Sequence, residues 1–148
     1  LNRFSNILIK IMKNKLLIIK SLNKEIRNKN TSIRRRCDLY RMRAILNLEI
    51  KKYSFAIKDS DKCLIFLDHL KTEKNIPNLI KKINKQFEAR IFLIRGVANF
   101  GKGNKNNGTN DFIKALEIYP KIIKERTYLV DELPNGIKST FKYLSALN

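Results

Sequence analysis

Apolar residues recur at helical spacing almost from the start of the chain. Phe4, Leu8, Ile11, the pair Ile18–Ile19 and Leu22 fall on one side of residues 3–28, while lysines fan over the remainder. One long amphipathic helix is expected there. Asn28, Asn30, Thr31 and Ser32 break it, and Ser32 is placed to N-cap the next helix. The period resumes over 33–49 and again over 53–70, where Phe55, Ala56, Ile57, Cys63, Leu64, Phe66 and Leu67 supply the apolar positions. Lys71–Asn78 reads as a polar connector. Pro77 suits the first turn of a helix that continues through Phe87 towards Phe100. Residues 101–110, GKGNKNNGTN, hold three glycines and four asparagines and predict a flexible turn. Asp111–Tyr119 reads as a helix with Asp111 near its N-terminus, where a carboxylate is favoured. Pro120 would open another helix to about Glu132. A turn at Pro134–Gly136 and a short helix through Phe141 and Leu144 would close the chain. The expected class is all-α, built of antiparallel helical hairpins behind a long basic N-terminal helix.

Charge changes this picture more than length does. The chain has 148 residues, enough for one ordinary domain, and 43% hydrophobic content supports a folded core. Its 32 Lys and Arg face 13 Asp and Glu, a net charge of +19. Self-repulsion of that size is relieved by a polyanion, and nucleic acid is the expected partner class. Residues 1–36 carry eleven basic residues and one acidic residue, more than half of the excess. That distribution divides the chain into a basic helical arm, 1–32, and a helical repeat-like domain, 33–148. Three arginines, Arg34, Arg35 and Arg36, open the second helix against its dipole, which suggests that an anion uses them.

Candidate chemistry is sparse. Cys37 and Cys63 are far apart with no CxxC, and one histidine leaves too few ligands for structural zinc. Reduced, partly buried thiols are the expectation. His69 stands beside Asp68 without a nucleophile motif, and Asp131 and Glu132, adjacent in sequence, point apart. Gly101 and Gly103 lack the glycine spacing and the Lys-Ser/Thr of a phosphate-binding loop. No enzyme activity and no cofactor are expected. No apolar stretch is long enough to span a bilayer; Ile7–Leu22 is interrupted by Lys10, Lys13, Asn14, Lys15 and Lys20. A basic amphipathic helix can also lie on a membrane surface or serve as a targeting segment.

The segment Ala89–Ile122 resembles a tetratricopeptide repeat. Phe92 takes its early bulky position, Gly96 and Gly108 the small ones, Phe112 the aromatic, Ala115 the third small residue and Pro120 the terminal proline. Cys37–Leu70 is a weaker match, with Tyr40 bulky, Ala44 and Ala56 small and Tyr53 opening the second helix; Ser60 stands at the aromatic position and Cys63 at an alanine. Asn47 and Asn99 replace a common tyrosine. The resemblance implies paired helices crossing closely at the small residues. Ala44 and Gly96 are 52 residues apart rather than 34, so Lys71–Glu88 must hold an inserted connector or a lengthened helix. The family's two-carboxylate peptide clamp draws on an asparagine where this chain has Ile45 and Val97. Arg41, Arg90 and Lys114 are left for looser acidic contacts.

Asn, Lys and Ile supply 60 of 148 residues, a bias that AT-rich codons produce. In composition the chain is similar to mitochondrially encoded ribosomal proteins of ciliates. That likeness implies a structural protein of a mitochondrial ribosome. Lys10, Lys13, Lys15, Lys20, Lys24, Arg27, Lys29, Arg34, Arg35 and Arg36 would contact ribosomal RNA phosphates, and the hairpins would meet neighbouring ribosomal proteins. The alternative is a helical adaptor or accessory subunit of a mitochondrial membrane complex.

Overall fold

The computed structural model describes residues 2–122. Five helices follow one another: α1 (Asn2–Arg27), α2 (Ile33–Glu49), α3 (Tyr53–Lys71), α4 (Asn78–Lys102) and α5 (Lys105–Ile118). No strand occurs among the described residues. Sequence neighbours pack as antiparallel pairs from α1·α2 through α4·α5, and α2 also reaches α4. The protein is thus all-helical with repeated hairpin packing, as expected of a helical-repeat fold. The helix expected from Pro120 to Glu132, the turn at Pro134–Gly136 and the closing helix lie outside the described residues.

Local chemistry accounts for most of the boundaries. Ser32 Oγ accepts a hydrogen bond from Arg35 N at 3.1 Å, so the predicted cap is made. Pro77 stands one residue before α4, and its carbonyl accepts from Lys81 N at 3.0 Å. Two left-handed residues close the first helix of each hairpin: Lys51 (φ 62°) after α2 and Gly103 (φ 91°) after α4. The following amides donate back to equivalent carbonyls, Lys52 N to Asn47 O and Asn104 N to Asn99 O, both at 2.8 Å.

The asparagine-rich segment departs from expectation. α4 runs on to Lys102, only Gly103 and Asn104 intervene, and residues 105–110 form the first turns of α5. Asp111 therefore sits within a helix, buried, and not near its N-terminus. Packing supplies what propensity lacks. A Cβ on Gly108 would lie 2.9 Å from Gly96 O and 2.6 Å from the Phe100 ring. Glycine here permits the close helix approach that the repeat resemblance implied. Phe112 lies in the same crossing, stacked on Phe100 with ring centroids 5.1 Å apart.

α4 is the centre of the fold. Ala89, Ile91, Leu93, Ile94 and Ala98 are all buried on different sides of it, because α2, α3 and α5 surround it. Ile91, Leu93 and Ile94 each stabilise the fold by roughly 1.5–3 kcal/mol through burial. Ala44, Ala56 and Cys63 fill the equivalent crossing of α2 and α3, with Tyr40 packed beside them. The 52-residue offset has both predicted causes: a connector after α3, and an α4 whose first turns precede the repeat register.

Candidate nucleic-acid interface

Helical geometry sorts most of α1 into two faces, with Leu17 exposed among the lysines. Phe4, Leu8, Ile11 and Ile18 continue the line of Leu22 and Ile26. The last two are buried against Leu39 of α2, whereas the first four are exposed. Lys10, Lys13, Lys20 and Lys24 fall on the opposite side and are exposed to solvent. Lys15 lies in the apolar line instead, half-buried, with Nζ 2.8 Å from Glu49. Its charge is directed into the fold.

The arginine cluster also has an internal role. Arg35 Nε donates to Glu25 Oε1 at 3.0 Å, and Arg36 Nη2 donates to the Asn28 and Thr31 carbonyls at 3.4 and 3.1 Å. The start of α2 faces the end of α1, whose partial negative charge offsets the unfavourable placement on α2's own dipole. Arg34 remains exposed at a shallow groove with Phe66 and Phe87, and Lys29 is exposed in the α1–α2 turn.

A polar brace recurs in both hairpins, and sequence reading missed it. Arg43 donates from Nε and Nη2 to Asp59 at 2.8 and 2.7 Å, and from Nη1 to Asn23 at 2.6 Å. Arg95 does the same to Asp111 at 3.0 and 2.7 Å, and to Asp61 at 2.8 Å. Asn99 Nδ2 adds a bond to Asp111 at 3.1 Å. Tyr40 and Phe92 complete the motif: Arg43 and Lys62 lie over the first ring, Arg95 and Lys114 over the second. Hydrogen bonding to Asp59 holds the Arg43 guanidinium above its ordinary range. Burial works to lower that of Arg95, but its bonds to Asp111 and Asp61 raise it overall. The signal lay in the sequence, since each Arg precedes its Asp by 16 residues.

Because Asn23 and Asp61 serve equivalent arginines, α1 takes the place before the first hairpin that α3 takes before the second. Two equivalent grooves result. The first, about 440 Å³, lies among α1, α2 and α3 and is lined by Arg27, Arg43, Lys52, Lys58 and Lys62 with Asp59. The second, about 590 Å³, lies among α3, α4 and α5 and is lined by Arg95 and Lys114 with Asp61, Asp111 and Glu117. Of the expected phosphate contacts, only Arg27 reaches either of these two grooves, Arg34 lining the shallow one beside Phe66 and Phe87. Lys52, Lys58 and Lys62 were missed because they are spread along a helix rather than clustered in sequence.

Other expectations find simple places. Val97 is buried and Ile45 packs partly buried against the core, so neither clamp position faces a ligand. Arg41 lies over the Phe87 ring at 5.6 Å. Cys37 and Cys63 are free and buried, and Cys63 Sγ donates to the Cys37 carbonyl at 3.3 Å. The neighbouring Cys37 thiol, together with burial, pushes the Cys63 thiol up, keeping it protonated. Among the described residues no group of acidic, Cys and His side chains could hold a metal, and no helix is long and apolar enough to cross a membrane. No family model matches the chain, and no curated protein or solved structure matches it.

Proposed function

We propose that this chain is a structural subunit of a large RNA–protein assembly, namely a mitochondrial ribosome on the compositional resemblance. Its hairpins are read as divergent tetratricopeptide repeats that pack against neighbouring proteins. The observation that carries the reading is the division of α1, with Lys10, Lys13, Lys20 and Lys24 on one side and Phe4, Leu8, Ile11 and Ile18 exposed on the other. A helix wedged between phosphates and protein uses both faces at once: the lysines release counterions from RNA, and the apolar line gains burial.

Purification at modest salt tests this reading. The protein should co-sediment with ribosomal RNA and be released by nuclease. With purified RNA, replacing the four lysines by Gln should lower the slope of log affinity against log salt by about 3. Persistence in an RNA-free membrane fraction would instead select the second reading, an accessory subunit of a mitochondrial membrane complex. The exposed apolar line opposite lysines is the observation that favours it, since surface-lying helices share that division.

A further inference from the structure

The groove among α1, α2 and α3 differs from its counterpart in one informative way. Among the described residues Asp59 is the sole acidic one lining it, and both of its carboxylate oxygens are engaged by Arg43. The positive charge of Arg27, Lys52 and Lys58 is therefore not neutralised within the groove. Lys62 adds to it while lying 4.8 Å from the Tyr40 ring centroid. At the mouth stands Phe55, 58% exposed, with Lys52 Nζ 5.9 Å from its ring centroid. The ring is not part of the buried core cluster.

The matching positions around the second groove are Asn104 for Lys52, Asn107 for Phe55 and Asn110 for Lys58. The same backbone scaffold thus carries amides in one unit and an aromatic ring among cations in the other. Beneath both sets lies the same Arg–Asp brace. A ring beside several cations, at the edge of a cavity within the size range of small-ligand sites, matches the requirements of an unpaired nucleotide. Its base stacks on the aromatic face and its phosphates meet the cations. A duplex offers phosphates but keeps its base faces stacked internally.

We propose that this groove holds a single-stranded segment of RNA, with Phe55 as the stacking platform and Arg27, Lys52 and Lys58 on the flanking phosphates. The proposal rests on the RNA-binding reading above and adds a site and a strandedness to it.

The test uses the whole chain with a labelled uridine 12-mer and a 12-base-pair RNA duplex at low salt, followed by anisotropy. Phe55→Ala should weaken single-strand binding about five- to tenfold and change duplex binding less than twofold. Asn107→Ala should change neither. The chain contains no tryptophan, so Phe55→Trp provides a lone reporter; it should keep single-strand affinity, with emission quenched by the 12-mer and not by the duplex. If Phe55→Ala binds the single strand as the parent does, or loses both RNAs equally, the groove assignment is overturned while RNA binding stands. If the parent binds neither RNA, the broader reading falls with it. Quenching of the tryptophan by anionic vesicles but not by the 12-mer would overturn the assignment in favour of a lipid headgroup.

Discussion

The two hairpins share one skeleton and differ in what they offer solvent. In each, an arginine on the first helix grips an aspartate on the second and a polar side chain on the helix before. In each, a left-handed residue turns the chain after the first helix. Above that frame, the first groove is lined by five basic residues and one acidic, and the second by two basic and three acidic. A stability element can therefore be held constant while the surface over it changes sign. The difference also separates residues that brace the helices from residues that only line the surface within a single chain.

The brace gives the largest expected effect. Asp59→Ala leaves Arg43 with the neutral Asn23 amide and the Tyr40 ring, and breaking a partly buried pair of this kind should cost about 3–4 kcal/mol. Asp111→Ala should cost a similar amount: Arg95 keeps the Asp61 carboxylate, but the buried Asn99 amide loses its acceptor. Urea midpoints at unchanged slope would measure both, and a large cost at one aspartate with none at the other would break the equivalence of the two hairpins. The helix crossings come next. Gly108→Ala should destabilise by about 1–3 kcal/mol, since the new methyl meets the Gly96 carbonyl, which is backbone and cannot swing aside. An exposed helical glycine would instead gain about 1 kcal/mol from the same change. In the first hairpin the position is already Ala56, and Ala56→Gly should cost about 1 kcal/mol. The smallest effect lies at the turns. Lys51 adopts the conformation that Gly103 adopts in its counterpart, so Lys51→Gly should raise stability by about 1 kcal/mol, read as a higher Tm. An unchanged or lower Tm would show that the two turns are not interchangeable.

Sequence alone made α2 and α3 legible because their signals are local. Ser32 caps one, and apolar spacing carries both to within a residue of their ends. The start of α5 was not legible, since Asn106, Asn107 and Gly108 are poor helix formers and it is the close approach of Gly108 to α4, with the Phe112 stack and the Asp111 brace behind it, that holds them in place. Repeat positions such as Ala44, Gly96 and Phe112 were legible through the resemblance to a tetratricopeptide repeat. The brace and the grooves were not, because Arg43, Asp59 and Lys58 look like ordinary surface charges until three helices are brought together. Laying residues 43–62 over 95–114 would have exposed both the shared Arg and Asp and the contrast between Phe55 and Asn107.

Asp59 and Asp61 are two residues apart on α3, yet one serves Arg43 and the other Arg95. α3 is thus the common member of two three-helix trusses joined in series. A displacement of α1 would therefore be felt at α3 through the Asn23–Arg43–Asp59 joint, and beyond it through both the Asp61–Arg95 joint and the apolar core that α2 to α5 share.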